Sequence, residues 1–193
     1  MANLSGQTAL VTGASSGIGR AIALELAGLG AGVILVARRK DRLEELAEEI
    51  RKGPGTPVVV EAQDLADPSA PTALVGRIAD AGLDVDILIN NAGFGVHGDF
   101  LANSWERQQA MLQVNMVTLT QLTYLLTPAM VVRKRGHVMN IASIGAFLPV
   151  PGFAAYSATK AYVRNFTEGL DAELRGTGVH AITVSPGGTL TEF

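Results

Sequence analysis

Six short apolar runs alternate along the chain with stretches of helical character, and this alternation constrains the fold more than any other feature. The runs are TALVT (8–12), GVILVA (32–37), TPVVVEAQD (56–64), VDILINNAG (85–93), HVMNIAS (137–143) and VHAITVS (179–185). Short runs with little polar alternation suit strands buried on both faces, as in a parallel sheet. The segments between them read as helices. GIGRAIALELAGLG (17–30) closes at Gly30, a C-terminal glycine signal, and KDRLEELAEEIRK (40–52) is amphipathic with a charged outer face. A third helix is expected from Pro68 to about Ala81, a long one from Ser104 to about Arg133, and another around Tyr156 and Lys160. Strands and helices in this order build a doubly wound parallel α/β sheet with right-handed crossovers and helices on both faces. No linker or composition shift divides residues 1–193, so a single domain is expected. Ligands of such sheets bind beyond the carboxyl ends of the strands, so chemistry should be sought just after each apolar run.

Composition narrows the function classes. A formal charge of −3 with 48% hydrophobic residues gives no basic excess for nucleic acid or an anionic membrane surface. The absence of cysteine excludes disulfides, thiolate metal sites and thiol chemistry, and fits a reducing compartment. The opening MANLSGQTALV has no basic segment leading into an apolar one, and Leu119 to Val132 is too short to cross a bilayer and contains Gln121 and Pro128. A soluble cytoplasmic protein is the expectation. His97, His137 and His180 lack metal-ligand spacing, so no metal site is expected.

The residues after the strands carry the chemistry. TGASSGIG follows the first, placing Gly13, Ser15, Ser16, Gly17, Ile18 and Gly19 at a strand-to-helix turn. Glycines there let the backbone approach a pyrophosphate, whose charge meets the N–H groups and positive end of the helix. The spacing is GxxxGxG rather than GxGxxG. The second strand ends at Ala37–Arg38–Arg39 with no carboxylate before Asp41. A carboxylate there would bond a ribose 2′-hydroxyl, whereas a guanidinium matches a 2′-phosphate, so the pattern points to NADP(H). A solvated basic start to a helix is the alternative. Asp64, followed by Leu65, is placed after the third strand either to meet an adenine amine or to cap a helix. Tyr156 and Lys160 stand four positions apart, one turn on a single helical face. Alone, the pair reads better as a surface tyrosine and a snorkelling lysine than as a site.

Taken together, TGASSGIG, NNAG (90–93), Asn115 in VNM, Ser143 in NIAS, YSATK (156–160) and SPGGTLT (185–191) resemble the short-chain dehydrogenases/reductases, in order over essentially the whole chain. The resemblance implies a Rossmann sheet, a nicotinamide dinucleotide cofactor and reversible alcohol/carbonyl oxidoreduction. It implies Tyr156 as general acid/base, Lys160 as its partner, Ser143 bonded to the substrate oxygen, and Asn115 holding a kink or water in the long helix. Asn91 and Gly93 would contact the adenosine ribose and line the cleft. Pro186, Gly187, Thr189 and Thr191 would hold the nicotinamide carboxamide. With an ammonium about 4 Å away, worth on the order of 4 kcal/mol at an effective dielectric of ~20, a phenol pKa of about 10 would fall by roughly three. That would bring Tyr156 near neutral pH, where a general base works best.

Phe94, Val96, Gly145, Ala146, Phe147, Val150 and Phe153 are expected either to rim a hydrophobic substrate pocket or simply to pack. NNAGFGVHGDF and PVPGFAAYSATKA look most like the acyl-ketone and hydroxysteroid branches of the family. The partner is then a small carbonyl or alcohol, and the resemblance implies a homodimer or homotetramer. The family normally continues past PGGTLTEF with a further strand and a substrate lid, which would leave VHAITVS at or near a sheet edge. A dinucleotide-binding redox sensor without turnover is the alternative function. The Ser143, Tyr156 and Lys160 set favours the enzyme, because a sensor needs only the binding turn.

Overall fold

The computed structural model describes residues 3–188. Its strands are β1 (Thr8–Thr12), β2 (Gly32–Ala37), β3 (Val58–Ala62), β4 (Ile87–Asn90), β5 (Gly136–Ile141) and β6 (Val179–Val184). They form one parallel sheet in the order β3-β2-β1-β4-β5-β6. The order reverses between β1 and β4, where Leu10 lies between Ile34 of β2 and Leu88 of β4.

Alternation within the strands splits the core into two layers. Leu10, Ile34, Val36, Leu88 and Val138 face one side. They pack there with Leu74 of α3 (Ala70–Asp80), Leu122 and Met130 of α5 (Leu119–Arg133) and Leu174, just past α6 (Ala154–Glu173). Ala9, Val11, Val33, Leu35 and Ile89 face the other, against Ala23 and Ala27 of α1 (Gly17–Gly28) and Leu43, Leu46 and Ile50 of α2 (Lys40–Lys52). Each fully buried leucine or isoleucine contributes roughly 1.5–3 kcal/mol of transfer free energy. These two layers hold the strand ends, and hence the site, in place.

Two helices differ from the sequence expectation. The third starts at Ala70 rather than Pro68, because the Asp67 carboxylate accepts from Ser69 N and Oγ, both at 2.8 Å, and holds a turn first. The long helix from Ser104 is divided. It comprises α4 (Trp105–Leu112), a π-helical stretch Gln113–Thr118, and α5. Ser104 caps α4 by accepting from Arg107 N. Gly30, with φ of 96°, ends the first helix as expected, its N–H bonded to Ala27 O while Ala31 N reaches Leu26 O. Among the described residues β6 is an outer strand of the sheet, and no helix is long and apolar enough to cross a membrane.

Candidate active site

The strand ends at the reversal are laced together by Thr12. Its hydroxyl donates to Ile89 O at 3.1 Å and accepts from Asn91 N and Ala92 N at 2.9 and 3.0 Å. The Asn91 side-chain amide donates to Thr12 O at 3.0 Å and Gly13 O at 3.3 Å. This amide braces the glycine turn. The turn is tight enough to require glycine. Gly13 has φ of 66°, and a Cβ on Gly19 would sit 2.4 Å from Gly13 O. Helix α1 begins with no side-chain cap from Ser16 and no acidic residue in its first turn, which comprises Gly17, Ile18 and Gly19. Its leading N–H groups and positive end thus offer an anion site.

Beside this turn lies the basic end of β2. Arg39 Nη2 donates to both Ser15 Oγ and Ser16 Oγ at 3.1 Å, while Arg38 is exposed next to it. Arg39, more than Arg38, therefore joins β2 to the glycine turn. Asp64 caps no helix, since α3 begins at Ala70; its carboxylate accepts from Ala66 N at 3.0 Å and holds the turn that follows β3. Leu65 is buried in the core and its carbonyl accepts from Thr118 Oγ1 at 2.8 Å, tying the end of β3 to the π-helical stretch.

Asn115 lies in that stretch, 1% exposed. Its Oδ1 accepts from Phe94 N at 3.1 Å, and its Nδ2 donates to Phe94 O at 3.0 Å and to Thr159 Oγ1 at 3.1 Å. Gly93 is closely embraced, since a Cβ there would lie 3.0 Å from Asn115 Oδ1 and 3.4 Å from Lys160 Nζ. Ser143 ends the β5 segment and accepts from Gly145 N at 3.1 Å, opening a short 3₁₀ turn, Ile144–Ala146. Tyr156 and Lys160 lie on α6. A hydrogen bond from Ser143 reaches the Tyr156 hydroxyl, and Phe153 packs edge-on to the Tyr156 ring at 5.6 Å. Lys160 is buried, with its ammonium donating to Ile141 O at 2.7 Å and lying 5.9 Å from the Tyr156 ring centre. Pro186 O accepts from Ile144 N at 3.0 Å, so the segment after β6 returns to the site, where Gly187 is exposed. Thr189 and Thr191 lie outside the described residues.

With this geometry in place, comparison with known proteins is decisive. The family model for short chain dehydrogenases matches residues 7–193. The chain belongs to this family. An uncharacterized oxidoreductase of Myxococcus xanthus is 39% identical over 197 aligned positions, covering 100% of this chain and 76% of that protein. A very-long-chain 3-oxoacyl-CoA reductase of Phaeosphaeria nodorum is 38% identical, covering 91% of this chain and 52% of its own length. A short-chain dehydrogenase of Sphingobium yanoikuyae, solved in complex with NADPH, superimposes with a TM-score of 0.91 at 37% identity, covering 96% of this chain and 72% of that one.

In this short-chain dehydrogenase the electrostatics differ from the sequence expectation. Burial pushes the Tyr156 phenol above its ordinary value of 10.0, only partly opposed by the hydrogen bond from Ser143. Burial also lowers the Lys160 ammonium from 10.5 to about 8. The Lys160 head is bonded to the Ile141 carbonyl and lies 5.9 Å from the Tyr156 ring centre, and burial dominates at the phenol. At neutral pH the pair is therefore a protonated phenol beside a buried cation.

The apolar rim is also redistributed. Val96 and Ala146 are core residues, Phe94 packs against the core, and Phe147 is exposed with the Arg164 guanidinium 4.7 Å from its ring centre. Ile144 and Leu148 join Phe147 as exposed apolar side chains just beyond Ser143. Thr12 and Thr159 are site residues that the sequence reading does not single out. Thr12 precedes the glycine turn and Thr159 precedes Lys160, so position relative to the motifs is the one signal that points to them. Among the described residues, no group of three or more histidine or acidic side chains is placed to hold a metal ion.

Proposed function

We propose that this short-chain dehydrogenase is an NADP(H)-dependent reductase of ketones, reversible toward secondary alcohols. The observation that carries the reading is one cluster at the carboxyl edge of the sheet. It contains Ser143, Tyr156 and Lys160 on one side and the uncapped start of α1 on the other. The donor set fits a dinucleotide phosphate: backbone N–H groups at α1 suit a pyrophosphate, and Arg39 laid over Ser15 and Ser16, with Arg38 beside it, suits a 2′-phosphate. The NADPH held by the Sphingobium relative supports this. When bound, NADP(H) supplies or accepts the hydride. Ser143 would orient the substrate oxygen, and Tyr156 would deliver its proton to that oxygen in reduction or remove it in oxidation. Lys160 keeps positive potential at the phenol below pH of about 8.

A substrate with a hydrophobic body, an acyl ketone or a steroid-like ketone, is supported by exposed Ile144, Phe147 and Leu148 and by similarity to the 3-oxoacyl-CoA reductase. A homodimer or homotetramer completes the reading. Its support is the apolar strip of exposed Trp105, Val117 and Tyr124 along α4 to α5, next to Tyr162 of α6.

The test is NADPH and NADH oxidation against a panel of acyl, steroid and small polar ketones, with Arg39→Leu and Tyr156→Phe alongside. NADPH should be preferred, and Arg39→Leu should weaken NADPH about 10- to 100-fold while barely changing NADH, since a charge-assisted phosphate contact is lost. Tyr156→Phe should abolish turnover and leave NADPH affinity unchanged. Equal use of both cofactors would reject the NADP(H) assignment. Tight NADPH binding without turnover of any ketone would favour the redox-sensor reading instead.

A further inference from the structure

We propose that Thr159 is a positioning residue for the Tyr156 acid/base, its hydroxyl linking the Asn115 amide to the α6 backbone at Tyr156. The inference rests on the proposed role of Tyr156. Thr159 is fully buried, and its hydroxyl makes two hydrogen bonds, from Asn115 Nδ2 at 3.1 Å and to Tyr156 O at 2.7 Å.

The polarity of this chain of bonds is fixed by its ends. The Phe94 N–H can only donate, so Asn115 must present Oδ1 to it. The Phe94 carbonyl can only accept, so Nδ2 must face that atom. The remaining amide proton of Asn115 then points to Thr159 Oγ1, which has to act there as acceptor. Thr159 has a single hydroxyl proton, and it goes to the Tyr156 carbonyl. One proton arrangement satisfies every group, running from the loop after β4 through the π-helical stretch into α6.

The chain ends at a telling atom. In an α-helix the carbonyl of Tyr156 also accepts the N–H of the residue four positions on, which is Lys160. Thr159 thus ties Asn115 to the peptide unit that sets the spacing of the phenol and the ammonium. The same Asn115 borders Gly93, next to the Lys160 head. Losing the hydroxyl leaves a buried amide proton without an acceptor, so Asn115 has to turn or the helices have to part. A small displacement of a proton donor is costly to rate while leaving distant cofactor contacts unchanged.

The test compares Thr159→Val, which removes the hydroxyl at nearly constant shape, with Thr159→Ser, which keeps it. Thr159→Val should lower kcat about tenfold with KM for NADPH within about twofold, the pattern of a lost transition-state contribution. In alcohol oxidation the rate rises with pH as Tyr156 loses its proton. Displacing the phenol from Ser143, whose hydrogen bond opposes the rise in its pKa, should move that rise to higher pH. Thr159→Ser should restore both kcat and the pH profile. A Thr159→Val enzyme with wild-type kcat and profile overturns the proposal. So does a loss shared equally by kcat, KM and thermal stability with an unmoved profile, because that marks a packing role only. If the wild-type protein reduces no ketone, the proposed function fails separately, and the link is read from the Asn115 side-chain amide by ¹⁵N NMR. Slow proton exchange in wild type and Thr159→Ser, and fast exchange in Thr159→Ala, supports it. Identical exchange in all three overturns it.

Discussion

Lys160 concentrates the electrostatic cost of the site in one side chain. The residue is 4% exposed and its ammonium bonds the Ile141 carbonyl, so burial rather than a counter-ion decides its protonation. Its folded pKa of about 8 lies below the ordinary 10.5. Below pH of about 8 both folded and unfolded chains hold the proton, and the folded state bears the full desolvation cost. Between about 8 and 10.5 the unfolded chain binds more protons than the folded one, so stability contributed at this position rises with pH. In urea unfolding of wild type and Lys160→Met, the difference should move toward the wild type by about 2–3 kcal/mol from pH 7 to pH 10. A pH-independent difference would sink this account. The scan stops at pH 10 because Tyr156, with its raised pKa, acts with the opposite sign beyond it. The same burial holds the Tyr156 phenol above its ordinary value.

Among the helices, the α4 to α5 segment does most to shape the site. Its π-helical stretch presents Asn115 inward and Thr118 to the Leu65 carbonyl, so one irregular element joins the ends of β3 and β4 to α6. The far end of α5 stores strain. Lys134 caps it with φ of 53°, and it is the one non-glycine residue with positive φ among the described residues. A side chain there costs about 1–2 kcal/mol, against roughly 0.5–1 kcal/mol of extra chain entropy for glycine. Lys134→Gly is therefore expected to stabilise the fold by about 0.5–1 kcal/mol, raising Tm by roughly 1–4 °C in calorimetry. Lys134 precedes β5, at the opposite end of the sheet from Ser143, so NADPH affinity should not change. A lowered Tm would show that the lysine makes a contact worth more than its strain.

Across the whole molecule, buried polar side chains register the helices on the sheet. Asn90 of β4 donates to Asn140 of β5 at 2.9 Å and to Thr123 of α5 at 3.1 Å, and Asn140 donates to Thr167 of α6 at 2.8 Å. This ladder joins α5 and α6 through the sheet beneath the site. Their outer faces bear Tyr124, 76% exposed, and Tyr162, whose ring stacks on Phe166 at 5.9 Å. Exposed aromatic strips of this kind mark association surfaces. In sedimentation velocity the wild type should run as a dimer or tetramer, and Val117→Glu with Tyr124→Glu as single chains. A monomeric wild type would remove the oligomer from the proposed function.

Features with a short period are legible in the amino-acid sequence alone. The apolar runs mark the strands, the i, i+4 spacing marks the shared face of Tyr156 and Lys160, and the glycines of TGASSGIG mark the turn, because each reflects backbone geometry within a few residues. What lies beyond that range is decided by the tertiary structure. It settles that Arg39 rather than Arg38 bridges to the turn, that the Asn91 amide braces Thr12 and Gly13, that Lys160 turns to Ile141, and that Thr159 meets Asn115. These partners stand 19 to 79 residues apart in the chain. A long polar side chain can satisfy its hydrogen bonds with any of several groups, and only the packed sheet and helices determine which acceptor comes within reach.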